Sequence, residues 1–340
     1  MAKIRLSNTK RNKFKECSRR YDFHYNFKYR SKFLGSALFF GVAFDEALNR
    51  MLLDKKDDLT EEETKSMSDS PEKVFMKYMT GTHHNGKYVN LRDFYYCEYT
   101  KSDFDETMLT EADLEQIGQD LNYCKAHIEW YHEELKKKKP EVSSDDVKMF
   151  NTINWHSLKN KGLLLLQAYR EEIMPQIHKV HSIQERVKLP NEKGDYIEGV
   201  IDFTASFVDE PEIVYVVDNK TAAKAYKEQQ LHESDQLHLY AYYKELGHIA
   251  YIVCEKNIRK REPRVRINIL KGTVDESFTD NLLDDYENTL YDIREGEFTP
   301  NFDSGCVFYR KKCEYFSICH HDKFDDKVLV DLKRKKDEEK

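Results

Sequence analysis

Apolar positions recur at helical spacing from Phe39 to Leu53, where Phe40, Phe44, Leu48 and Leu52 fall four apart, and this predicts an amphipathic helix. The segment Lys10 to Lys32 is also helix-like. Asp54 to Pro71 is acidic and polar and predicts a solvated loop, and Asn90 to Ile177 reads mainly as helices. Leu109 to Lys139 and Asp145 to Met174 carry the strongest pattern, with Pro140 between them. Near His181 the period changes to two. His181 to Leu189 and Tyr196 to Val208 predict strands joined by the turn Asn191-Glu192-Lys193-Gly194. Glu212 to Asp218 is apolar on both faces through Ile213-Val214-Tyr215-Val216-Val217, as a buried central strand should be. A helix follows over Glu228 to Leu246, with Gly247 placed to cap it. Two further strands, Ile249 to Cys254 and Arg264 to Leu270, precede a long amphipathic helix over Val274 to Glu295. Phe298 to His321 has little regular pattern, and Asp322 to Lys340 is a charged tail. No repeat or glycine-rich linker divides the chain, so the pattern predicts one α/β core with a large helical insertion.

Composition changes this picture little, but the distribution of charge does. The formal net charge is −7, yet Lys3 to Lys32 holds eleven Lys or Arg against Glu16 and Asp22. Such a segment is a phosphate-binding surface or a solvated helix face. Lys10, Arg11, Lys13, Arg19 and Arg20 are the first candidates for the former. No apolar run approaches the roughly 18 residues of a membrane helix, and Met1 to Lys10 lacks a signal-peptide core. The expectation is a cytoplasmic protein with no membrane association. Seven cysteines in a reducing compartment favour metal binding or burial over disulfides.

The candidate chemistry lies on the strands. Asp218 and Lys220 are two apart, so they share a face just past the buried run. The short connection Val208 to Pro211 makes the preceding strand an antiparallel neighbour, which can bring Asp202 near Asp218. Two close carboxylates repel unless a cation sits between them, and Mg²⁺ or Mn²⁺ takes such oxygen ligands. The alternative is a set of strand-end residues that pair on the surface.

The series Gly199-x-x-Asp202, Asp218-x-Lys220 and Gln236-x-x-x-Tyr240 resembles the motifs of RecB-type PD-(D/E)XK nucleases in order and spacing. The resemblance implies a restriction-endonuclease-like α/β fold, a mixed central sheet flanked by helices, and metal-dependent hydrolysis of DNA phosphodiester bonds. It implies catalytic roles for Asp202, Asp218, Lys220, Gln236 and Tyr240, with Asp202 and Asp218 as metal ligands. Gln236 and Tyr240 share a helix face; core packing is their other reading. The family's helix G-x-x-x-H-x-x-L-E has its counterpart in Gly41-Val42-Ala43-Phe44-Asp45-Glu46-Ala47-Leu48-Asn49, where Asp45 replaces the metal-binding His. Asp45 is then either a third oxygen ligand or an exposed polar residue.

Cys306, Cys313 and Cys319, with Cys17 far upstream, resemble the one-plus-three cysteine set by which several of these nucleases hold a [4Fe-4S] cluster. Cys313 to Cys319 matches the family's C-x5-C spacing, whereas Cys306 to Cys313 is longer than the family's gap. His320 and His321 keep a zinc site open. Cys97, Cys124 and Cys254 are expected as buried hydrophobes. The expected organisation is one nuclease domain over 1–322, with an insertion at 51–180, a catalytic core at 181–296 and a cysteine clasp at 298–321 joined to Cys17. A charged tail at 323–340 follows. The resemblance extends to phage-encoded and CRISPR-adaptation nucleases. It implies an exonuclease in recombination, repair or end processing, acting on single strands or duplex ends, with a helicase or recombination partner to be considered. The competing reading is a catalytically decayed fold that binds DNA or protein.

Overall fold

The computed structural model describes residues 3–85, 87–91, 97–98, 108–121, 144–256, 265–302, 306–308 and 311–334. Its centre is a six-stranded mixed sheet. The strands are β1 (Arg5–Leu6), β2 (Ile177–Pro190), β3 (Tyr196–Phe207), β4 (Glu210–Ala222), β5 (His248–Glu255) and β6 (Arg266–Thr273). The turn at Gly194, with φ 79, reverses the chain between β2 and β3, which pair antiparallel along their whole length. β3 and β4 are also antiparallel, β4 and β5 are parallel, and β5 and β6 are antiparallel.

Alternation on the central strands separates two cores, as a period of two requires. Tyr215, Val217, Ala250, Ile252 and Cys254 face one cluster. That cluster is filled from α2 (Ser36–Leu52), α3 (Pro71–Thr80) and the long helix α5 (Ser144–Ala168). Val216, Ile249, Tyr251 and Val253 face the other, against α6 (Asp235–Lys244) and α7 (Glu276–Glu295). The fold is therefore helix, sheet, helix in three layers. Full burial of a Phe or Leu side chain contributes about 1.5–3 kcal/mol, and Phe40, Phe44, Phe203 and Phe207 are all inaccessible to solvent or nearly so.

Both ends of the chain are tied into this body. α1 (Asn8–Glu16) follows β1, which pairs parallel with Tyr196 and Ile197 of β3. Leu329–Asp331 pairs with Tyr29–Ser31, and the Arg19 amide donates to the Thr299 carbonyl.

Some expected elements differ. The helix expected over Glu228–Leu246 is two, Glu228–His232 and α6, because the Ser234 hydroxyl accepts the Leu237 amide and starts a new helix. α6 ends at Glu245, which takes φ 54 itself, so Gly247 is not its cap. The expected loop Asp54–Pro71 contains a helix, Glu61–Ser66, capped reciprocally by Thr60 and Glu63. The expected helix Leu109–Lys139 is seen as α4 (Glu111–Leu121), and its remainder lies outside the described residues, as does Cys124. Between α3 and α4 the insertion also holds a hairpin, Gly81–His84 with Lys87–Asn90. Asp113 of α4 ties this region to α5: it accepts from Lys159 at 2.6 Å and Asn160 at 2.7 Å, and His156 Nδ1 lies 2.7 Å away. Among the described residues no helix is long and apolar enough to cross a membrane.

Candidate active site

One edge of β3 is shared by two partners. β1 pairs with Tyr196 and Ile197, and β4 pairs from Phe203 onward. Between them, over Glu198 to Asp202, neither strand pairs with that edge, because β4 turns away to follow β5. The result is a fork, and the expected acids stand in its angle. The β3–β4 ladder ends at Phe203–Val217, so Asp202 and Asp218 come next on the diverging strands. The freed amide of Asn219 is satisfied by Asp202, whose Oδ2 accepts it at 2.9 Å.

α6 fills the fork. Gln236 Nε2 donates to Asp218 Oδ1 and Lys220 Nζ donates to Gln236 Oε1, each at 3.4 Å. One turn later, the Tyr240 ring lies on Gly199, and its hydroxyl accepts the otherwise free Val200 amide at 3.3 Å. Lys220 Nζ is 2.5 Å from Asp218 Oδ2. The five residues of the strand and helix motifs are thus brought together.

Electrostatics follow from burial. Asp218 is 2% exposed, and its Oδ2, though in contact with Lys220, takes no well-directed hydrogen bond. Burial, then Asp218 and Asp45, holds the Asp202 carboxyl well above its usual range. Asp45 is pushed up to about 6 by burial, with Glu46 and Asp218 adding to it. Burial opposes the charge on Lys220, but Asp218 and Asp202 outweigh it and raise its pKa. The site is three acids around one ammonium.

The donor chemistry fits a hard divalent cation. Mg²⁺ is commonly held by one or two carboxylates together with waters and substrate phosphate. Asp202 and Asp218 offer two buried acids, and Asp218 Oδ2 keeps unused lone pairs. Among the described residues no group of three or more His, Cys, Asp or Glu side chains is arranged to hold a metal ion. At the fork, the Lys220 ammonium lies on Asp218. Asp45 sits on α2, where its Oδ2 accepts from Asn49 and from Gln184, each at 3.4 Å.

Three neighbours of the site carry no motif. Asn219 lies between Asp218 and Lys220, and its Oδ1 accepts from the buried Tyr169 hydroxyl at 3.1 Å. Gln184 of β2 has φ 53, rare outside glycine and strained in a strand, and reaches Asp45 and Asn49. Lys244 of α6 binds Glu185 at 2.8 Å. No sequence signal points to Asn219, which alternation places on the face opposite Asp218 and Lys220. Tyr169 arrives from a distant helix with no sequence signal.

In the basic N-terminal segment most of the candidate cations already have partners within the protein. Lys10 pairs with Glu198 at 2.9 Å. Arg11 is only 5% exposed and binds Asp235 at 2.7 Å and also Asp285. Arg19 pairs with Asp22 at 3.3 Å, and Arg20 with Glu16 at 2.8 Å and Glu314 at 3.1 Å. Lys13 is half-buried against His24. The acids that answer Lys10, Arg11 and Arg20 come mostly from distant segments, so much of the charge that is local in the sequence is answered in the fold. Lys10, Arg11 and Arg20 thus join the N-terminal segment to the body of the protein.

Cys17, Cys306, Cys313 and Cys319 come from both ends of the chain into one region. The Cys313 amide donates to the Cys306 carbonyl at 2.8 Å, and His320 Nε2 is 3.4 Å from Cys306 Sγ. Burial raises the thiols of Cys306 and Cys319, with Cys17 adding in both cases. Burial and then Glu314 push Cys313 up to about 12, with Cys17 a smaller cause. Cys254 is fully buried in the core, and the Cys97 side chain lies outside the described residues.

Comparison with known proteins bears on the whole chain. The model of the PD-(D/E)XK nuclease superfamily matches residues 5–320. Among curated proteins nothing matches. A solved structure titled "Crystal structure of SSO0001" is similar over 64% of this chain and 98% of its own, at 14% identity with a TM-score of 0.28, too slight a likeness to bear on the fold.

Proposed function

We propose that this chain, which belongs to the PD-(D/E)XK nuclease superfamily, is a Mg²⁺- or Mn²⁺-dependent deoxyribonuclease that hydrolyses phosphodiester bonds at the β3–β4 fork. The observation that carries this is the convergence of Asp202, Asp218, Lys220 and Gln236 where the two strands part. Asp202 and Asp218 hold the cation, and Asp45 supports it from α2. A bound divalent cation polarises a phosphoryl oxygen and lowers the pKa of an attacking water. Lys220 supplies a fixed positive charge to the phosphate or the water, and Gln236 orients Lys220 and Asp218 together. Tyr240 fixes the backbone of Gly199 and Val200 beside the scissile position.

Residues 1–322 act as one nuclease unit in this reading, with 323–340 as a tail. The family resemblance favours an exonuclease working on single strands or duplex ends in recombination, repair or end processing. Cys17, Cys306, Cys313 and Cys319 hold a [4Fe-4S] cluster. What supports this is that the four cysteines come from both ends of the chain into one region, with Cys17 among the groups that act on Cys306, Cys313 and Cys319, and such a cluster takes cysteine ligands. A cluster spreads its ligands around a cube, unlike a single ion about 2.3 Å from each sulfur.

The test uses purified protein with labelled single- and double-stranded DNA, Mg²⁺ or Mn²⁺, and chelator. Wild type is expected to cut only with metal. Asp218→Asn is expected to lose on the order of 10²-fold or more. Binding without cutting under every condition would favour a decayed fold that only holds DNA.

A further inference from the structure

Beside the fork lies a cleft of ≈ 590 Å³ between β1, β2, β3 and α6, with Gln236 and Tyr240 at one end. Three cations line it: Arg5 of β1, and Arg186 and Lys188 of β2. All three are exposed, and none has an acidic partner among the described residues. This separates them from Lys10, Arg11, Arg19 and Arg20, whose charges are answered inside the protein. The acid in the cleft, Glu198, is paired with Lys10 at 2.9 Å. Arg5 and Lys188 both lie over the Tyr196 ring, at 5.6 and 4.4 Å from its centroid, so an aromatic floor sets their positions.

Register places the cations on both sides of β3, with Arg186 and Lys188 two apart on β2 and Arg5 across it on β1. Directly paired residues share a sheet face. Arg186 pairs with Val200, Lys188 with Glu198, and Arg5 with Tyr196. Val200, Glu198 and Tyr196 are two, four and six residues from Asp202, on the same face. Each step of two residues is about 6.6–6.8 Å. The cations thus flank β3 at increasing distance from the acids.

We infer that Arg5, Arg186 and Lys188 form a track for the backbone phosphates of nucleic acid on one side of the cleavage position. This rests on the nuclease reading of the fork. The strand leaves the acidic angle past Gln236 and Tyr240 and follows the cations toward Tyr196. The phosphates meet positive charges that folding has left unanswered, and no side chain has to break an existing ion pair to receive them.

The test is salt-dependent binding of a labelled single-stranded oligodeoxynucleotide with a 5′-hydroxyl, measured by anisotropy in chelator so that nothing is cut. Each phosphate contact contributes about 0.7 to the slope of log affinity against log salt. Arg5→Ala/Arg186→Ala/Lys188→Ala should lower that slope by about 2, and Arg186→Ala/Lys188→Ala by about 1.4. Lys323→Ala/Lys327→Ala, which removes equal charge elsewhere, should leave it unchanged. In cleavage assays the double variant should raise KM with kcat preserved. An unchanged slope in both cleft variants overturns the track; if wild type still cuts DNA, the nuclease reading stands apart from it. Conversely, a lowered slope in a protein that never cuts leaves the track and removes the nuclease. A loss seen only with a 5′-phosphorylated oligonucleotide overturns the backbone track in favour of a terminal-phosphate pocket.

Discussion

The ring of Tyr240 rests on the bare backbone of Gly199 so closely that a Cβ there would fall 2.6 Å from Cε1 and Oη. The glycine is required for its lack of a side chain and for nothing in its backbone angles. Gly199→Ala should therefore push the ring off Val200 and cost about 1–3 kcal/mol, as overpacking does. Tyr240→Phe removes only the hydroxyl that takes the Val200 amide, at about 0.5–1.5 kcal/mol. Thermal melts of both variants and of Gly199→Ala/Tyr240→Ala check this. A double variant no more stable than Gly199→Ala would show that the ring is not what the added methyl meets.

Lys220→Ala leaves Asp202 and Asp218 buried with no ammonium between them. Breaking a buried pair costs about 3–5 kcal/mol, and the 29% exposure of the Lys220 side chain brings the expected loss to about 2–3 kcal/mol. Mg²⁺ should restore part of it, since a cation bound only by the folded state stabilises by mass action. The measurement is Tm in chelator and across a Mg²⁺ titration. Equal losses under both conditions would argue that the acids do not bind the metal.

Arg11→Ala should unfold the protein more readily without touching DNA binding. Its guanidinium joins α1 to Asp235 of α6 and Asp285 of α7 in near-complete burial. The expected loss is about 3–5 kcal/mol by denaturant titration, with the salt slope of DNA affinity unchanged. A flattened slope at full folding would return the basic segment to the nucleic-acid surface.

Asp113 makes stability depend on pH. Burial alone would raise its pKa, but hydrogen bonds from Lys159, Thr110 and Asn160 outweigh burial and hold the carboxyl far below its usual range. A depressed carboxyl stabilises the fold above its unfolded value of about 3.9, and that stability is lost as pH falls further toward the folded value. Asp113→Asn should cost about 2–4 kcal/mol at pH 7, and the gap to wild type should narrow below pH 4. Tm curves from pH 3 to 7 that stay parallel would exclude the ion pair as the cause.

Cys17→Ser should abolish bound iron and sulfide in protein purified anaerobically and should lower Tm, since the cluster would join the two ends of the chain. Wild type lacking both elements would remove the cluster, and zinc in their place would change the metal while keeping the join.

How much of this was legible depended on whether a signal was local. The strands β2 to β6 and helices α2 and α7 followed from periodicity, because each buries a face whose spacing is written in consecutive residues. Asp218 and Lys220 shared a face because alternation demands it. The fork was not legible: where β4 leaves β3 is decided by its pairing with β5, far along the chain. The break at Ser234 was hidden by continuous helical composition on both sides. The basic segment misled because Glu314, Asp235 and Asp285, which answer it, lie more than two hundred residues away.

The seam between the chain's two ends bears on the order of events in synthesis. β1 must wait for Tyr196, and Tyr29–Ser31 must wait for Leu329–Asp331 before either finds its partner. Loops of that length close late and slowly. About 190 residues must follow Leu6, and about 300 must follow Tyr29, before each finds its partner, leaving Leu6 exposed to solvent or to a chaperone until then. The same delay keeps the cleft beside the fork incomplete on a nascent chain, since its first wall has no partner until Tyr196 and Ile197 are made.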